Sequence, residues 1–227
     1  MPTGIEYIKS ICSHLDLPFT TTGGALIFYL RFEKSTENRP SGLDVYLPAA
    51  AAVLLATKIF ETPKRLRDII NSAYAILNPE DPPLILGVVD SGNNPQESIF
   101  WELRRSVIMA ERILVNAIDY DFNICFPHSY IEEWTHQAIS IPDPSYFSSK
   151  NTLVLNYAWG FAHSSLEISN VILKHTPITI AKACVLLSFK KSGINASNLN
   201  HWISRLSSED YQAILEVCSS IQQFSNK

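Results

Sequence analysis

The chain has 227 residues, of which 46% are hydrophobic and 18% are charged, and its formal net charge is −4 at pH 7. This length suits one large domain or two domains of about a hundred residues each. The negative charge argues against nucleic acid as the main ligand, because neutralising a phosphate backbone needs clustered lysine and arginine.

The sequence also argues against a membrane or secreted protein. Its longest apolar run, residues 49–56, is far shorter than the roughly 20 residues that span a bilayer. The N-terminal region lacks a signal-peptide layout because Glu6 and Lys9 interrupt it. The cysteines are scattered without a CxxC pair, which favours free thiols in a reducing compartment. We therefore expect an intracellular protein.

Helical signals dominate the first half of the chain. The third predicted helix contains the alanines of residues 49–52, where a neighbouring helix could approach closely. The fifth carries an apolar stripe from Phe100 to Ile118, and Glu97 is placed to complete a capping box with Asn94. The five predicted helices are residues 4–15, residues 22–32, a helix ending near Phe60, a helix with Thr62-Pro63 as N-cap and first residue, and a helix starting at Asn94-Pro95.

The second half repeats this pattern. The longest connection, rich in proline, glycine and aspartate, is residues 78–94, before the fifth helix. In the second half, residues 141–144 read as a linker. The predicted helices are residues 127–138, residues 152–166, residues 178–190 with Thr176-Pro177 as cap and Gly193 as stop, and a last helix from Ser207 as N-cap to about Phe224.

Two segments of the chain resemble each other. Residues 53–58, with the sequence VLLATK, match residues 185–190, with the sequence VLLSFK, and Ala49 and Ala51 match Ala181 and Ala183 in the same register. Each segment follows an amphipathic helix and precedes a short helix and then a longer one. The pattern predicts two copies of a five-helix unit, with chance similarity between apolar helices as the alternative.

No known catalytic motif is visible. GxGxxG, P-loop, GxSxG, HExxH and zinc-type Cys/His patterns are absent, and the six histidines are far apart. Small basic clusters at residues 64–67, 104–105 and 190–191 indicate solvated helix faces, since no aromatic residues alternate with them. We expect no catalytic residue, no metal and no cofactor.

A lysine and a glutamate interrupt the apolar sides of two helices. Lys58 lies four residues after Leu54 in the third helix, and Glu111 lies four residues after Val107 in the fifth. An unpaired buried charge costs several kcal/mol, so the economical arrangement is that Lys58 and Glu111 meet across the two helices. The alternative is a lysine that reaches solvent and a glutamate at the rim that never touch.

At these residues the sequence resembles the cyclins, most closely the transcription-type cyclins. Residues 54–63, LLATKIFETP, followed by residues 66–70, LRDII, resemble the third and fourth helices of a cyclin box. Residues 118–130 resemble the end of the first box and the start of the second, and residues 158–166 the second helix of the second box. Residues 67–71, 77–79 and 100–104 are similar to segments of the cyclin Q subgroup.

The resemblance implies two tandem five-helix cyclin-box repeats, the first in residues 1–125 and the second in residues 126–227. It implies a nuclear regulatory subunit, with a cytoplasmic pool left open, that binds and activates a cyclin-dependent protein kinase and is not itself an enzyme. No nucleic acid or membrane partner is expected. The kinase-contacting positions of the family fall on Lys58, Glu111, Val115, Tyr120 and Phe122.

The sequence departs from the family in two places. Cyclins commonly have two acidic residues after the lysine, whereas Phe60 occupies the first of these positions. The first helix lacks the Met-Arg-x-x-Leu pattern with which cell-cycle cyclins dock substrates. The competing interpretations are a transcription-factor-IIB-like two-repeat protein, which needs a basic face for DNA, and an unrelated helical enzyme, which needs a polar constellation that the sequence lacks.

Overall fold

The computed structural model describes residues 2–36, 44–82, 84, 95–139, 149–193, 204 and 206–225. Regular secondary structure within these ranges is entirely helical, which confirms the predicted all-α fold class. The chain divides into two compact units, Met1–Ile124 and Cys125–Lys227. Each unit has its own buried apolar core.

The first unit is built around its third helix. Its helices in the described residues are α1 (Gly4–His14), α2 (Phe19–Thr36), α3 (Tyr46–Ile59), α4 (Leu66–Leu77) and α5 (Pro95–Ala117). Helix α3 contacts each of the other four. Residues 49–57 are all buried, and the four alanines among them let neighbouring helices approach closely. A helix that is apolar on every side belongs at the centre of a bundle.

Local hydrogen bonds fix helix α1 in this bundle. The Thr3 side chain accepts from the Glu6 amide at 3.3 Å, and the Glu6 carboxylate accepts from the Thr3 amide at 2.7 Å, which completes a capping box. The Tyr7 hydroxyl donates to the Ala73 carbonyl of α4 at 2.8 Å. Burial raises the pKa of Tyr7 well above its ordinary value, so the phenol remains a hydrogen-bond donor.

The fourth helix does not begin where the sequence predicted. Helix α4 starts at Leu66, several residues after the Thr62-Pro63 pair. Thr62 instead completes the end of α3, because its amide donates to the Thr57 carbonyl at 3.0 Å. Glu61, which directly precedes Thr62, has a φ of 53°, the left-handed conformation that ends many helices. The Thr-Pro pair therefore belongs to the C-terminal cap of α3.

The predicted bounds of the other helices are close to those observed. Helix α2 is longer than predicted at both ends, because residues 25–30 are buried and the flanking turns continue the helix. Helix α5 begins at Pro95 as predicted. The capping box predicted for Glu97 involves Asn94, which lies outside the described residues.

The second unit has an equivalent central helix. Its described helices are α6 (His128–Ile139), α7 (Ser149–Ser165), α8 (Ser169–Ile172), α9 (Pro177–Ser192) and α10 (Ser208–Ser225). Helix α9 contacts each of the other four. Ala181, Ala183, Cys184 and Val185 of this helix are fully buried. All four cysteines of the chain are free.

The caps predicted in the second unit are confirmed. The Thr176 hydroxyl accepts from the Thr179 amide at 3.2 Å, and Pro177 is the first residue of α9. Gly193 ends that helix with a φ of 65°. The Ser207 hydroxyl accepts from the Asp210 amide at 3.1 Å at the start of α10. The predicted linker at residues 141–144 lies outside the described residues.

The internal repeat maps onto the two central helices. Residues 49–58 lie in α3 and residues 181–190 lie in α9. Both segments are buried along most of their length by helices on all sides. The short helix that the repeat predicts between α9 and α10 falls mostly outside the described residues. Corresponding sequence therefore occupies corresponding places in the two units.

A close approach in the first unit explains the departure at Phe60. A Cβ atom added to Gly24 of α2 would lie 2.1 Å from Cε2 of the Phe60 ring, so the ring packs directly on the glycine. An aromatic residue at the end of α3 thus fills the space left by a glycine in α2, where an acidic side chain would leave it empty.

We predict that Gly24→Ala lowers the free energy of unfolding by about 1–3 kcal/mol, because the methyl group displaces the Phe60 ring. Gly160→Ala in α7 is the control, since an added Cβ there has no neighbour within 4 Å. The control should raise the free energy of unfolding by about 0.5–1 kcal/mol through helix propensity alone. Urea denaturation followed by circular dichroism measures both, and equal effects of the two substitutions would contradict the packing described.

Candidate functional site

The lysine and the glutamate that interrupt the apolar helices form an ion pair. Lys58 lies in the last turn of α3 and Glu111 lies in α5, and the distance from Nζ to Oε1 is 2.5 Å. Helices α3 and α5 pack against each other along their length. The pairing predicted from the sequence is confirmed, and a role in binding another protein stays a prediction.

The two charges differ in their exposure. The Glu111 side chain is 14% exposed and the Lys58 side chain is 54% exposed. The expectation that both charges face the core is therefore wrong for Lys58, because α3 leaves the core at its last turn. Burial of the Glu111 carboxylate is offset by the cation beside it. An ammonium has three N–H donors, so Lys58 retains donor capacity on its exposed side.

The chain turns sharply after α5 and presents an aromatic residue to solvent. Asp119 and Tyr120 have φ values of 52° and 57°, and each such residue costs about 1–3 kcal/mol unless its surroundings hold it. The Tyr120 amide donates to the Val115 carbonyl at 3.1 Å, and its hydroxyl donates to Oδ1 of Asn116 at 2.8 Å. Tyr120 is 63% exposed. Strained backbone that displays an aromatic side chain is a common feature of binding sites.

Phe122 links this turn to the core of the first unit. Its ring meets the Tyr120 ring edge to face, with centroids 6.5 Å apart. On the other side it meets the fully buried Phe28 ring of α2 at 6.3 Å. Edge-to-face aromatic pairs add stability beyond the area they bury. Phe122 is itself half-buried, so it supports the exposed tyrosine and presents part of its own surface.

The structure brings the five residues predicted for the site together. Lys58 pairs with Glu111, and Glu111 and Val115 are one turn apart on α5. The Val115 carbonyl accepts from Tyr120, whose ring contacts Phe122. We call this continuous set the docking strip: Lys58, Glu111, Val115, Tyr120 and Phe122. Its binding of a partner is not established by this arrangement.

Sequence reasoning missed Arg31, which holds one end of the docking strip. Its guanidinium donates to the carbonyls of Asp121 at 2.8 Å and Asn123 at 3.0 Å, and lies 3.3 Å from the Asp121 carboxylate. A two-carbonyl clamp of this kind suits the fork of an arginine. The available signal was an arginine between the buried residues Leu30 and Phe32 of α2.

The docking strip has the chemistry of a binding surface. It offers one ammonium, one carboxylate and the exposed aromatic ring of Tyr120. Within the described ranges, no group of three or more histidine, cysteine, aspartate or glutamate side chains is arranged to hold a metal ion. Among the helices that the structure describes, none has the length and hydropathy to cross a bilayer.

Solved structures share this fold. One chain of the yeast RNA Pol II CTD kinase CTDK-1 complex matches 97% of this chain with a TM-score of 0.67 and 18% identity, over 63% of its own length. One chain of the CAK complex of Chaetomium thermophilum bound to ATP-γ-S matches 99% of this chain with a TM-score of 0.68 and 14% identity, over 64% of its own length. At these identities the likeness concerns the fold.

Relatives with known names are cyclins. Cyclin pch1 of Schizosaccharomyces pombe is 26% identical over 228 residues, which cover 96% of this chain and 60% of that protein. Cyclin-L2 of Mus musculus is 29% identical over 222 residues, which cover 97% of this chain and 39% of that protein. Cyclin-L1 of Gallus gallus is 25% identical over 225 residues, which cover 97% of this chain and 38% of that protein. No family model matches the chain.

The curated relatives that this chain is similar to are cyclins, the family that its sequence resembles. The three relatives are named as a cyclin pch1, a cyclin-L1 and a cyclin-L2. The chain spans between 38% and 60% of the length of the three curated relatives above. The finer resemblance to cyclin Q stays a prediction.

We predict that Arg31→Lys loosens the turn that carries Tyr120. A lysine ammonium lacks the planar fork that reaches both carbonyls, and a charge-assisted hydrogen bond is worth about 1.5–3 kcal/mol. Amide hydrogen exchange in residues 119–124 should therefore accelerate by about tenfold. Arg67→Lys is the control, because the ion pair of Arg67 within the described ranges is with the adjacent Asp68 carboxylate, at 3.8 Å. Equal exchange in the two variants would show that the clamp does not hold the turn.

Proposed function

We propose that this chain is the regulatory subunit of a cyclin-dependent protein kinase with a role in transcription, and that its docking strip binds the kinase. The observation that carries the proposal is the Lys58–Glu111 pair. A half-exposed ammonium, fixed by a mostly buried carboxylate, stands beside exposed apolar side chains in a chain whose relatives are cyclins. The two solved complexes with the same fold carry the names of kinase complexes.

The physical properties of the docking strip suit a stable protein partner. The pair is worth about 0–1 kcal/mol to folding, as surface ion pairs usually are, so its value lies in the donors and acceptors that it presents. Tyr120 is rigidly held and exposed, and aromatic anchors of this kind dominate many interfaces. A stable regulatory interface buries on the order of 2,000 Å² or more, so it would extend beyond the five residues of the docking strip.

Binding would act on the conformation of the kinase. A protein held against the regulatory helix of the kinase keeps that helix inward, which places the kinase's own Lys–Glu pair on the ATP phosphates and helps to order its activation loop. This chain would supply no catalytic group. Residues 1–125 would form the first, kinase-binding cyclin box and residues 126–227 the second, close to the two compact units Met1–Ile124 and Cys125–Lys227. The location proposed for the chain is nuclear, with a cytoplasmic pool left open, and its similarity to cyclins supports this.

The transcription-factor-IIB-like alternative predicts a different partner. It shares the all-helical two-unit plan, but DNA binding would need a basic face, whereas the net charge is −4. A gel shift with duplex DNA at low salt separates the two interpretations. A salt-sensitive DNA complex of the isolated chain would favour the alternative.

We predict that Lys58→Ala and Glu111→Ala each weaken capture of the kinase by about tenfold or more, because truncating one member of an interfacial charge pair costs 2–5 kcal/mol or more. The kinase is first identified by mass spectrometry as the protein that co-purifies with the unaltered chain. Capture is then quantified for each variant against that kinase, with the helical circular-dichroism signal as the measure of folding.

Lys64→Ala and Glu102→Ala are the matched controls, because both side chains are exposed in the first unit and lie outside the docking strip. They should capture the kinase as the unaltered chain does. Unchanged capture by both Lys58→Ala and Glu111→Ala, or loss in the controls to the same extent, would remove the pair as the anchor. Absence of any kinase among the co-purifying proteins would contradict the proposed function itself.

A further inference from the structure

The second unit retains the lysine of the ion pair without its carboxylate. Lys190 occupies the position in α9 that Lys58 has in α3, at the end of the repeated segment. In the first unit Lys58 meets Glu111, a residue of the last helix of that unit. In the second unit Lys190 and Gln222 of α10, again the last helix, line the same pocket.

The neighbours of Gln222 support this correspondence. In α5 the buried Val107 lies one turn before Glu111, and in α10 the buried Cys218 lies one turn before Gln222. Burial raises the pKa of Cys218 to about 12, and the charge of Lys190 acts in the opposite direction, so the ammonium lies near this face of α10. The neutral amide of Gln222 thus stands where the first unit has a carboxylate.

The pocket between these helices is positively charged. It has a volume of about 420 Å³ and is lined, among the described residues, by Phe161, Leu187, Lys190, Lys191, Gln222 and Ser225. None of these six side chains is acidic. Two lysines, a glutamine and a serine therefore border a space whose described lining carries no anionic side chain.

Aromatic rings hold the second lysine at this pocket. Nζ of Lys191 lies 5.1 Å from the centre of the Tyr157 ring and 5.4 Å from that of the Phe161 ring, both on α7. Cation–π contacts restrict a side chain that would otherwise move freely in solvent. They leave the N–H donors of the ammonium available to a ligand, because ring faces do not replace strong hydrogen-bond acceptors.

We propose that this pocket binds a phosphate group carried by a phosphorylated peptide segment of a partner protein. Phosphate oxygens accept charge-assisted hydrogen bonds from ammonium groups, and two lysines with two neutral donors suit a dianion. Phe161 and Leu187 add an apolar wall, which a bare inorganic ion does not use and the neighbouring residues of a peptide can cover. The pocket is distinct from the docking strip, so this proposal does not depend on kinase binding.

A structural role for the two lysines makes a different prediction. Lysines in the last turn of a helix also interact favourably with its C-terminal carbonyls, by about 0.3–1 kcal/mol. That role affects stability and involves neither Gln222 nor the presence of a ligand. Binding measurements on the whole chain therefore separate the two roles.

The test is the fluorescence anisotropy of a labelled peptide pool with one fixed phosphoserine and randomised flanking residues, compared with the same pool containing serine. The phosphorylated pool should bind about tenfold or more tightly, and added salt should weaken this binding. The double variant Lys190→Gln with Lys191→Gln should lose that advantage while keeping its circular-dichroism spectrum and thermal transition.

Two controls complete the design. Lys182→Gln removes a lysine from the same helix, one that lies over the Trp134 ring at 4.4 Å and does not line the pocket, and should bind the pool as the unaltered chain does. Lys190→Arg with Lys191→Arg should retain binding. Equal binding of the two pools, or full binding by the double glutamine variant, would overturn the proposal. If inorganic phosphate at the same concentration as the peptide displaced the labelled peptide, a peptide would no longer be the ligand assigned to the pocket.

Discussion

The first unit depends on helix α3, which other helices surround along most of its length and which still presents a charge at its end. Helix α3 is buried from residue 49 to residue 57, and Lys58 is the first residue after this stretch that reaches solvent. At that point its ammonium meets Glu111, which α5 keeps mostly out of water. The close packing of α3 and α5 therefore sets the position of both charges. A shift of either helix by one turn would separate them, since one turn is about 5.4 Å.

The rest of the docking strip follows from the same packing. Because α5 runs along α3, its C-terminal end and the following turn lie close to α2. The Phe122 ring packs on Phe28 there, and Arg31 holds the carbonyls of the turn. Tyr120 is thereby exposed without being free to move, which lowers the entropy lost on binding. Core packing, strained backbone and surface chemistry are thus linked within a single unit.

The sequence predicted the helices and the ion pair because both produce local periodic patterns, in which the two charges break an apolar stripe. It did not predict how unequally the two charges are buried, since periodicity does not show where a helix leaves the core. The same Thr-Pro pattern opens α9 at Thr176 and closes α3 at Thr62. The difference is Glu61, whose left-handed φ of 53° ends α3 just before Thr62. The sequence did not reveal the role of Arg31, because its partners are backbone carbonyls 90 and 92 residues away along the chain.

The two units also show how a repeat can diverge in its electrostatics. Both keep a lysine near the end of the central helix, which pairs with Glu111 in the first unit and lines a pocket together with Gln222 in the second. The first lysine is neutralised in place and joins an apolar surface. The second stands beside Lys191 in a pocket whose described lining lacks an acid. Under the two proposals made above, equivalent lysines of the two units would bind different partners, a protein surface in the first unit and an anionic group in the second.

The most direct test is a double-mutant cycle on kinase affinity with Lys58→Ala, Glu111→Ala and the double variant. If the two side chains act as one anchor, the double variant should bind only about as weakly as the weaker single variant, which leaves a coupling energy of about 1.5 kcal/mol or more. Additive losses, with a coupling energy near zero, would mean that the two residues do not act on the partner together and would contradict the role assigned to the pair.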